Sequence, residues 1–258
     1  SAIVIDDSKD YLIESRLHPV ARSAGFDGVE ALLSHMKKNP LNGLQTQVVE
    51  AMTTNETLFF RDIHPFDHLR DHQFPRLVAA RSMTKTIVIW SLACSTGQEP
   101  YSIAMLLNEH FRDVVGSWRV RILATDYSET VLTRAREGLF SDLETARGLA
   151  PQMLSRYFRP LQGKWSISQE CRRLVEFRCL NLNATWPMMP PCDVVFLRNV
   201  MIYFDIPTRT ALVERFRRVL KPDGYLFLGG AETLIGMDTG YERLTGSGCS
   251  YYRPKLRS

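Results

Sequence analysis

The sequence lacks any run of about 18 apolar residues, so no part of it reads as a membrane span. It lacks a Cys-x-x-Cys pair. Its five cysteines, Cys94, Cys171, Cys179, Cys192 and Cys249, are scattered and odd in number, which argues against a metal site and for reduced, buried thiols in a cytoplasmic protein. The opening residues, Ser1 to Asp7, show no basic, apolar and small-residue succession of a signal peptide. There is no internal repeat and no low-complexity tract. Charge of one sign is not in excess: 32 Lys and Arg stand against 28 Asp and Glu, and a net +4 without a basic patch does not indicate nucleic acid. What remains is the composition of a globular domain, 45% hydrophobic and 23% charged, with enough apolar surface to exclude disorder as the chain's main character.

Periodicity divides the chain into a helical part over residues 1–80 and a sheet-forming part over 81–258. In the first, Leu12, Ile13, Leu17, Val20 and Ala21, then Val29, Leu32, Leu33 and Met36, recur at helical spacing. Residues 44–52 and 66–80 continue it. In the second, residues 86–92, 120–125, 192–197 and 225–230 are compact apolar runs of strand length, separated by helical patterns. That alternation predicts an α/β fold with a parallel sheet. Asp205 and Pro207 suit the first turn of a helix, Lys221 to Gly224 a turn, and residues 241–253 a hairpin. Residues 141–182 interrupt the alternation; runs at 158–167 and 174–180 predict a small antiparallel insert.

Four segments carry candidate chemistry. Leu92-Ala93-Cys94-Ser95-Thr96-Gly97-Gln98-Glu99-Pro100 takes a strand into a helix through small residues, the place where open α/β sheets bind ligands. With no GxGxxG and no GxxxxGK[ST], and with Glu99 at the helix start, it suits an ammonium-bearing ligand better than a phosphate. It suits a tight turn with Glu99 against the helix dipole equally well. Asp126 ends the next strand, where an acidic residue holds ribose hydroxyls in nucleoside-binding folds, or caps the following helix. Arg198-Asn199 follows a buried strand, facing a ligand crevice or paired with a structural carboxylate. The segment 53–62, with two Phe and an Arg, suits either a lid over a cleft or a linker whose Phe residues plug an interface.

Together these segments resemble the CheR family of chemoreceptor glutamate methyltransferases. The matching stretches are TTNETLFFR (53–61), WSLACSTGQEPYSIAM (90–105), ATDYSETVL (124–132) with AREGLF (135–140), RNVMIYF (198–204) and LKPDGYLFLG (220–229). The resemblance implies a Rossmann-like methyltransferase core, an N-terminal helical domain and a small antiparallel β-subdomain inserted in the core. It implies S-adenosylmethionine as cofactor, with receptor glutamates as methyl acceptors for sensory adaptation. Carried over by motif, Asn55, Thr57 and Arg61 are cofactor-binding residues of the linker. Glu99 binds the methionyl amino group and Asp126 the ribose. Asn181 and Leu182, after the third core strand, flank the adenine, and Arg198 and Asn199 complete the set. Arg61 and Tyr203 are the expected catalytic residues, and no metal is expected.

The expected partner is the cytoplasmic helical bundle of chemoreceptors, met by a monomer without nucleic acid or membrane insertion. Arg16 and Arg22 are candidates for meeting acidic receptor helices. The basic residues of 209–221 suit a solvated helix face better. The family often has an acidic residue where Gln98 stands and Asp where Ser128 stands. The short stretch Leu161-Gln162-Gly163-Lys164-Trp165 resembles members that do not bind a receptor C-terminal pentapeptide. Competing readings are a methyltransferase with another acceptor, a non-catalytic cofactor-binding module, and an NAD-linked oxidoreductase.

Overall fold

The computed structural model describes residues 10–39, 43–52, 56–237 and 239–255. The chain forms two compact units divided between Glu56 and Thr57. In the first, α1 (Asp10–Ser23), α2 (Val29–Lys38) and α3 (Leu44–Met52) follow the apolar stripes of the sequence. Leu17, Ala21, Val29 and Leu32 are buried, and Arg16 Nη1 donates to the Met52 carbonyl at 2.9 Å. Arg16 is thereby half-buried, whereas Arg22 is exposed.

The boundary expected near residue 80 is corrected. α4 (His64–His68), a π-helical turn (Leu69–Gln73) and α5 (Phe74–Ala80) belong to the second unit, because Phe66, Leu69, Phe74 and Leu77 are buried in the core of its sheet. Pro75 explains the π turn. It has no N–H for the carbonyl four residues back, and the chain widens so that Phe74 N–H reaches the Leu69 carbonyl instead.

The second unit continues through β1 (Thr86–Leu92), α6 (Gln98–His110), α7 (Arg112–Ser117), β2 (Arg119–Asp126), α8 (Glu129–Glu137), β3 (Leu139–Phe140), α9 (Asp142–Ala146), α10 (Pro151–Tyr157), β4 (Phe158–Leu161), β5 (Lys164–Ile167), α11 (Gln169–Arg172), β6 (Val175–Cys179), β7 (Cys192–Leu197), α12 (Ile206–Val219), β8 (Leu220–Leu228), β9 (Tyr241–Gly246) and β10 (Cys249–Pro254). A seven-stranded sheet runs β6-β2-β1-β7-β8-β10-β9. β6, β2, β1, β7 and β8 are mutually parallel, while β10 is antiparallel to both β8 and β9.

The period-two alternation of the strands places one set of side chains on each face. Ile87, Ile89, Val194, Phe196 and Phe227 pack with Ile103 and Leu107 of α6. Val88, Trp90, Val195, Leu226 and Leu228 pack with Leu212, Val213 and Phe216 of α12. The sheet is therefore covered on both sides, as an all-parallel centre requires.

A buried carboxylate ties the amino ends together. Asp193 accepts from Val88 N–H at 2.8 Å, Arg81 Nε at 2.7 Å and Lys221 Nζ at 2.8 Å. Arg81 also holds the Asp223 carboxyl below its ordinary range. Residues 221–224, expected as a turn, are drawn by these contacts into β8, whose register shifts opposite Cys192 and Val194.

The small antiparallel sheet is present with order β3-β5-β4, its turn made by Gln162 and Gly163 at φ +51° and +71°. The run at 174–180 is not part of it. As β6 it pairs with β2 at the edge of the main sheet, so it is the third core strand. The expectation that the cysteines are all buried holds for Cys94, Cys171 and Cys192. Cys179 is exposed and Cys249 half-buried, and none of the five is in a disulfide.

Candidate active site

From β1 the sheet order steps through β2 to β6 in one direction, and through β7 to β8 in the other. The strand order reverses between β1 and β7, and a crevice opens beyond the carboxyl ends of strands at such a point. The loop after β1 is bent sharply to leave room there: Ala93, Ser95 and Gly97 have φ of +47°, +50° and +96°. Gly97 has a second reason to lack a side chain, since a Cβ there would lie 3.1 Å from the Tyr101 ring and 3.2 Å from Ala135 Cβ.

Glu99 stands in the first turn of α6. Its carboxylate accepts from Ser91 Oγ at 2.7 Å and from Arg198 Nη1 at 2.9 Å. Arg198, whose side chain is 2% exposed, is the hub of the crevice. Its Nη2 donates to the Arg61 carbonyl at 2.6 Å and to Asp62 at 2.9 Å, and the guanidinium lies 5.4 Å over the Phe66 ring. A buried cation is costly unless paired, and Glu99 and Asp62 supply the pairing. The reading of Arg198 as paired with carboxylates holds, and the pair stands at the carboxyl ends of the strands where the crevice opens.

Asp126, at the end of β2, is buried. One carboxylate oxygen accepts from Ser95 N–H at 2.9 Å and the other from Ser128 N–H at 3.0 Å. It thereby fixes the β1 loop against the entry of α8, where Ser128 in turn caps Val131 N–H at 3.3 Å. Its backbone carbonyl accepts from Leu180 N–H at 2.8 Å, which brings Asn181 and Leu182 to the same edge. Asn181 Oδ1 accepts from Asn183 N–H at 2.9 Å in an Asx turn, and the Leu182 carbonyl accepts from Arg215 at 2.6 Å. Arg215 also reaches the Ala184 carbonyl at 2.6 Å, and Arg209 the Phe204 carbonyl at 2.7 Å. These two residues of α12 are loop ties, not a merely solvated face. Cys94, beside these carboxylates, is a protonated thiol: burial, then the charges of Asp126 and Glu99, push it well above its ordinary value.

The linker segment plugs the core through its Phe residues. Phe59 is buried edge-on to Phe140 and Phe158 of the small sheet, with ring centroids 5.0 and 5.6 Å away. Phe60 N–H donates to Ser102 Oγ at 2.9 Å. Thr57 and Arg61 are half-buried in this segment, and Asn55 lies outside the described residues.

Asn199 sits at φ +59° after β7, and Tyr203, half-buried, ends the short 3₁₀ turn Met201–Tyr203. The structure brings Glu99, Arg198 and the Arg61 backbone together, and Asp126 with the Asn181 loop. Among the described residues, no hydrogen bond links Tyr203 to either group. Two members have no role assigned from the sequence. Asp62 ends the 53–62 segment beside Arg61, so adjacency is a usable signal. Glu232 accepts four backbone N–H groups, from Asn199, Val200, Met201 and Gly229, at 2.7 to 2.8 Å. Its only sequence signal is an acid just past the Gly229-Gly230 strand end.

The donor set fits a cofactor with a cationic amino acid end and a nucleoside end. Carboxylates close the first two strands. Glu99 accepts from Ser91 and Arg198, and Asp126 from two backbone N–H groups, and a carboxylate offers about four lone-pair sites in all. Arg198 Nε is buried without a hydrogen-bond partner among the described residues.

A two-sided parallel sheet with these acids at its reversal point defines a Rossmann-like cofactor-binding enzyme domain. The family model described as CheR methyltransferase, SAM binding domain, matches residues 55–248. Chemotaxis protein methyltransferase Cher2 of Pseudomonas putida is 39% identical over 256 residues, 98% of this chain and 93% of that one. Chemotaxis protein methyltransferase 1 of Pseudomonas aeruginosa is 40% identical over the same share of each. The chemotaxis protein methyltransferase of Escherichia coli is 38% identical over 243 residues, covering 92% of this chain and 82% of that one. The chain belongs to the CheR methyltransferase family and is an S-adenosylmethionine-dependent methyltransferase.

Proposed function

We propose that the chain methylates glutamate side-chain carboxylates in the cytoplasmic helical bundle of chemoreceptors, giving glutamyl methyl esters and S-adenosylhomocysteine. The observation that carries this reading is the likeness to chemotaxis protein methyltransferases over nearly the whole chain, with the linker and strand-end motifs meeting at Arg198.

S-adenosylmethionine supplies, when bound, a methyl group on a sulfonium sulfur that leaves as a neutral thioether. An acceptor glutamate, with an ordinary pKa near about 4.3, is already ionised at neutral pH, so no residue has to remove a proton. The chain's work is therefore to bind and align, which is worth up to roughly 7–11 kcal/mol in favourable cases. Glu99, pinned at both oxygens, receives the ammonium group, and Asp126 the ribose hydroxyls. Asn181 and Leu182 flank the adenine. Asn55 and Thr57 hold the cofactor from the linker, and Arg198 with Asn199 closes the crevice floor. Arg61 uses its planar donor fork to orient the acceptor carboxylate or a cofactor group. Tyr203 hydrogen-bonds near the reacting centre. The two-residue turn at Gln162-Gly163 supports a reading without pentapeptide binding.

The test begins with calorimetric titration of S-adenosylmethionine and S-adenosylhomocysteine, with NAD as control. One-site binding of both is expected, weakened more than tenfold in Glu99→Gln and Asp126→Asn that keep their melting transitions. Methyl transfer is then read on receptor cytoplasmic fragments as base-labile ester released as methanol, with Arg61→Ala losing nearly all of it. Cofactor binding without ester on any fragment overturns the acceptor assignment. Wild-type turnover in Arg61→Ala removes the role given to that residue.

A further inference from the structure

Beside the strand-end crevice lies a second, unassigned cleft of about 710 Å³. Its walls are Asp62, His64 and Pro65, residues 228–233 with Ile235, and the β9–β10 hairpin. It is continuous with the crevice through two residues. Asp62 lines it and pairs with Arg198 at 2.9 Å; Glu232 lines it and holds the Asn199 backbone at 2.7 Å. A ligand in this cleft therefore sits one residue away from the strand-end pair.

Two further features describe that ligand. Ile235, on the wall, is 65% exposed, Ile63, between the wall residues Asp62 and His64, is 44% exposed, and Ile202, on the turn whose N-terminus Glu232 holds, is 48% exposed. Single exposed isoleucines are ordinary, but Ile235 on the wall, with Ile63 between two wall residues and Ile202 on the turn that the wall residue Glu232 holds, marks an apolar contact face. The charges point the same way. Both wall carboxylates are committed, Asp62 to Arg198 and Glu232 to backbone N–H groups. Arg243, exposed on the wall, has no ion pair among the described residues; its hydrogen bond is to Ser250 Oγ at 2.7 Å. The cleft thus offers apolar contact and one uncommitted cation.

We infer that this cleft seats the acceptor segment itself: an amphipathic, acidic helix of the receptor, its apolar side chains on Ile63, Ile202 and Ile235 and a flanking carboxylate on Arg243. The assignment rests on the receptor-glutamate reading above and adds the surface that presents the acceptor. Continuity with the crevice and charge complementarity to a glutamate-bearing helix select this occupant.

The experiment measures initial rates of methyl transfer to a receptor cytoplasmic fragment at saturating S-adenosylmethionine, using the full chain. Arg243→Glu is expected to raise KM for the fragment at least tenfold and Ile235→Asp several-fold, with kcat and cofactor affinity within twofold of wild type. Arg243→Lys should restore most of the affinity. Met83→Ser, at a residue 93% exposed that precedes the amino end of β1, at the opposite end of the strands from the cleft, should leave all constants unchanged. Unchanged KM in Arg243→Glu and Ile235→Asp, with the wild type active, overturns the docking assignment alone. A concentration-dependent dimer in the wild type that both substitutions abolish, without a change in KM, also overturns it, by showing that a second copy fills the cleft. No transfer by the wild type to the fragment, despite cofactor binding, overturns the receptor reading and this assignment with it.

Discussion

Glu232 accepts the backbone N–H of Asn199 at 2.7 Å from 33 residues further along the chain. It holds Asn199 in the left-handed region, at φ +59°, which Asn tolerates better than most residues. The same carboxylate caps the turn that carries Ile202 and Tyr203. Gly229 is the only residue that fits opposite: a Cβ there would lie 2.7 Å from Asn199 Nδ2 and 2.8 Å from its backbone nitrogen.

Removing the carboxylate leaves these backbone donors without their partner. Hydrogen bonds to a charged group are worth about 1.5–3 kcal/mol each, and water recovers part of that at a half-buried site, so Glu232→Ala should cost about 2–4 kcal/mol. At about 2–4 °C per kcal/mol for a domain of this size, its melting temperature should fall by about 5–10 °C. Glu232→Gln keeps the shape and one acceptor oxygen and should lose about half as much. Thermal denaturation of both variants checks this, and melting like that of the wild type would remove the anchoring role.

Gly148 is a position where two constraints coincide. Its φ is +93°, and a Cβ would lie 1.9 Å from the Phe59 carbonyl oxygen. Gly148→Ala must push Phe59 out from between Phe140 and Phe158, and with it the segment whose carbonyl at Arg61 meets Arg198. We expect a large loss of melting temperature together with loss of cofactor binding. Gly163→Ala is the contrast. At φ +71° with open space around it, it should cost only about 1 kcal/mol and leave cofactor binding unchanged.

Acid should loosen the wall of the second cleft. His68 is buried, with Nδ1 3.3 Å from Ser247 Oγ at the hairpin tip and Nε2 2.8 Å from Gln73. Burial first, then the charges of His72 and Arg76, hold its imidazole below the ordinary 6.5, with Asp71 opposing in part. The unfolded chain binds this proton more readily than the folded one, so stability rises with pH across the interval. The contribution is complete above pH 6.5 and is lost as pH falls below it toward the depressed folded value. Between about pH 7.5 and about pH 5.5 the wild-type melting temperature should drop more than that of His68→Gln. Parallel melting curves for the two proteins across that range would show that His68 does not titrate in this way.

Local rules made much of the fold legible. β1 and β7 have the bounds expected from their apolar runs, and Asp205 caps α12 through Thr208 N–H at 2.9 Å as its residue type suggests. Errors arose where distant contacts decide. The 64–80 helices look independent until the sheet face that buries Phe66 and Leu77 is known. Lys221 to Gly224 carry turn residues, but Asp193 and Arg81 draw them into a strand. At the site, Glu99, Asp126 and Arg198 were visible because strand ends announce themselves. Glu232 was not, because its chemistry is done on backbone groups that no side-chain pattern encodes.

The position of β10 has a consequence in time. It lies between β8 and β9, so β9 joins the sheet only through a strand made after it. On a growing chain, Glu99, Asp126 and Arg198 have all emerged before β10 can add Cys249, Ser250 and Tyr252 to the cleft wall and fix β9 beside it. Pairings between segments far apart in sequence form slowly, and an unattached strand is exposed while it waits. The nascent protein therefore completes the strand-end crevice first and the wall of the second cleft last. An interruption of synthesis within β10 would leave a chain with the strand-end crevice residues in place but nothing to hold β9 against them.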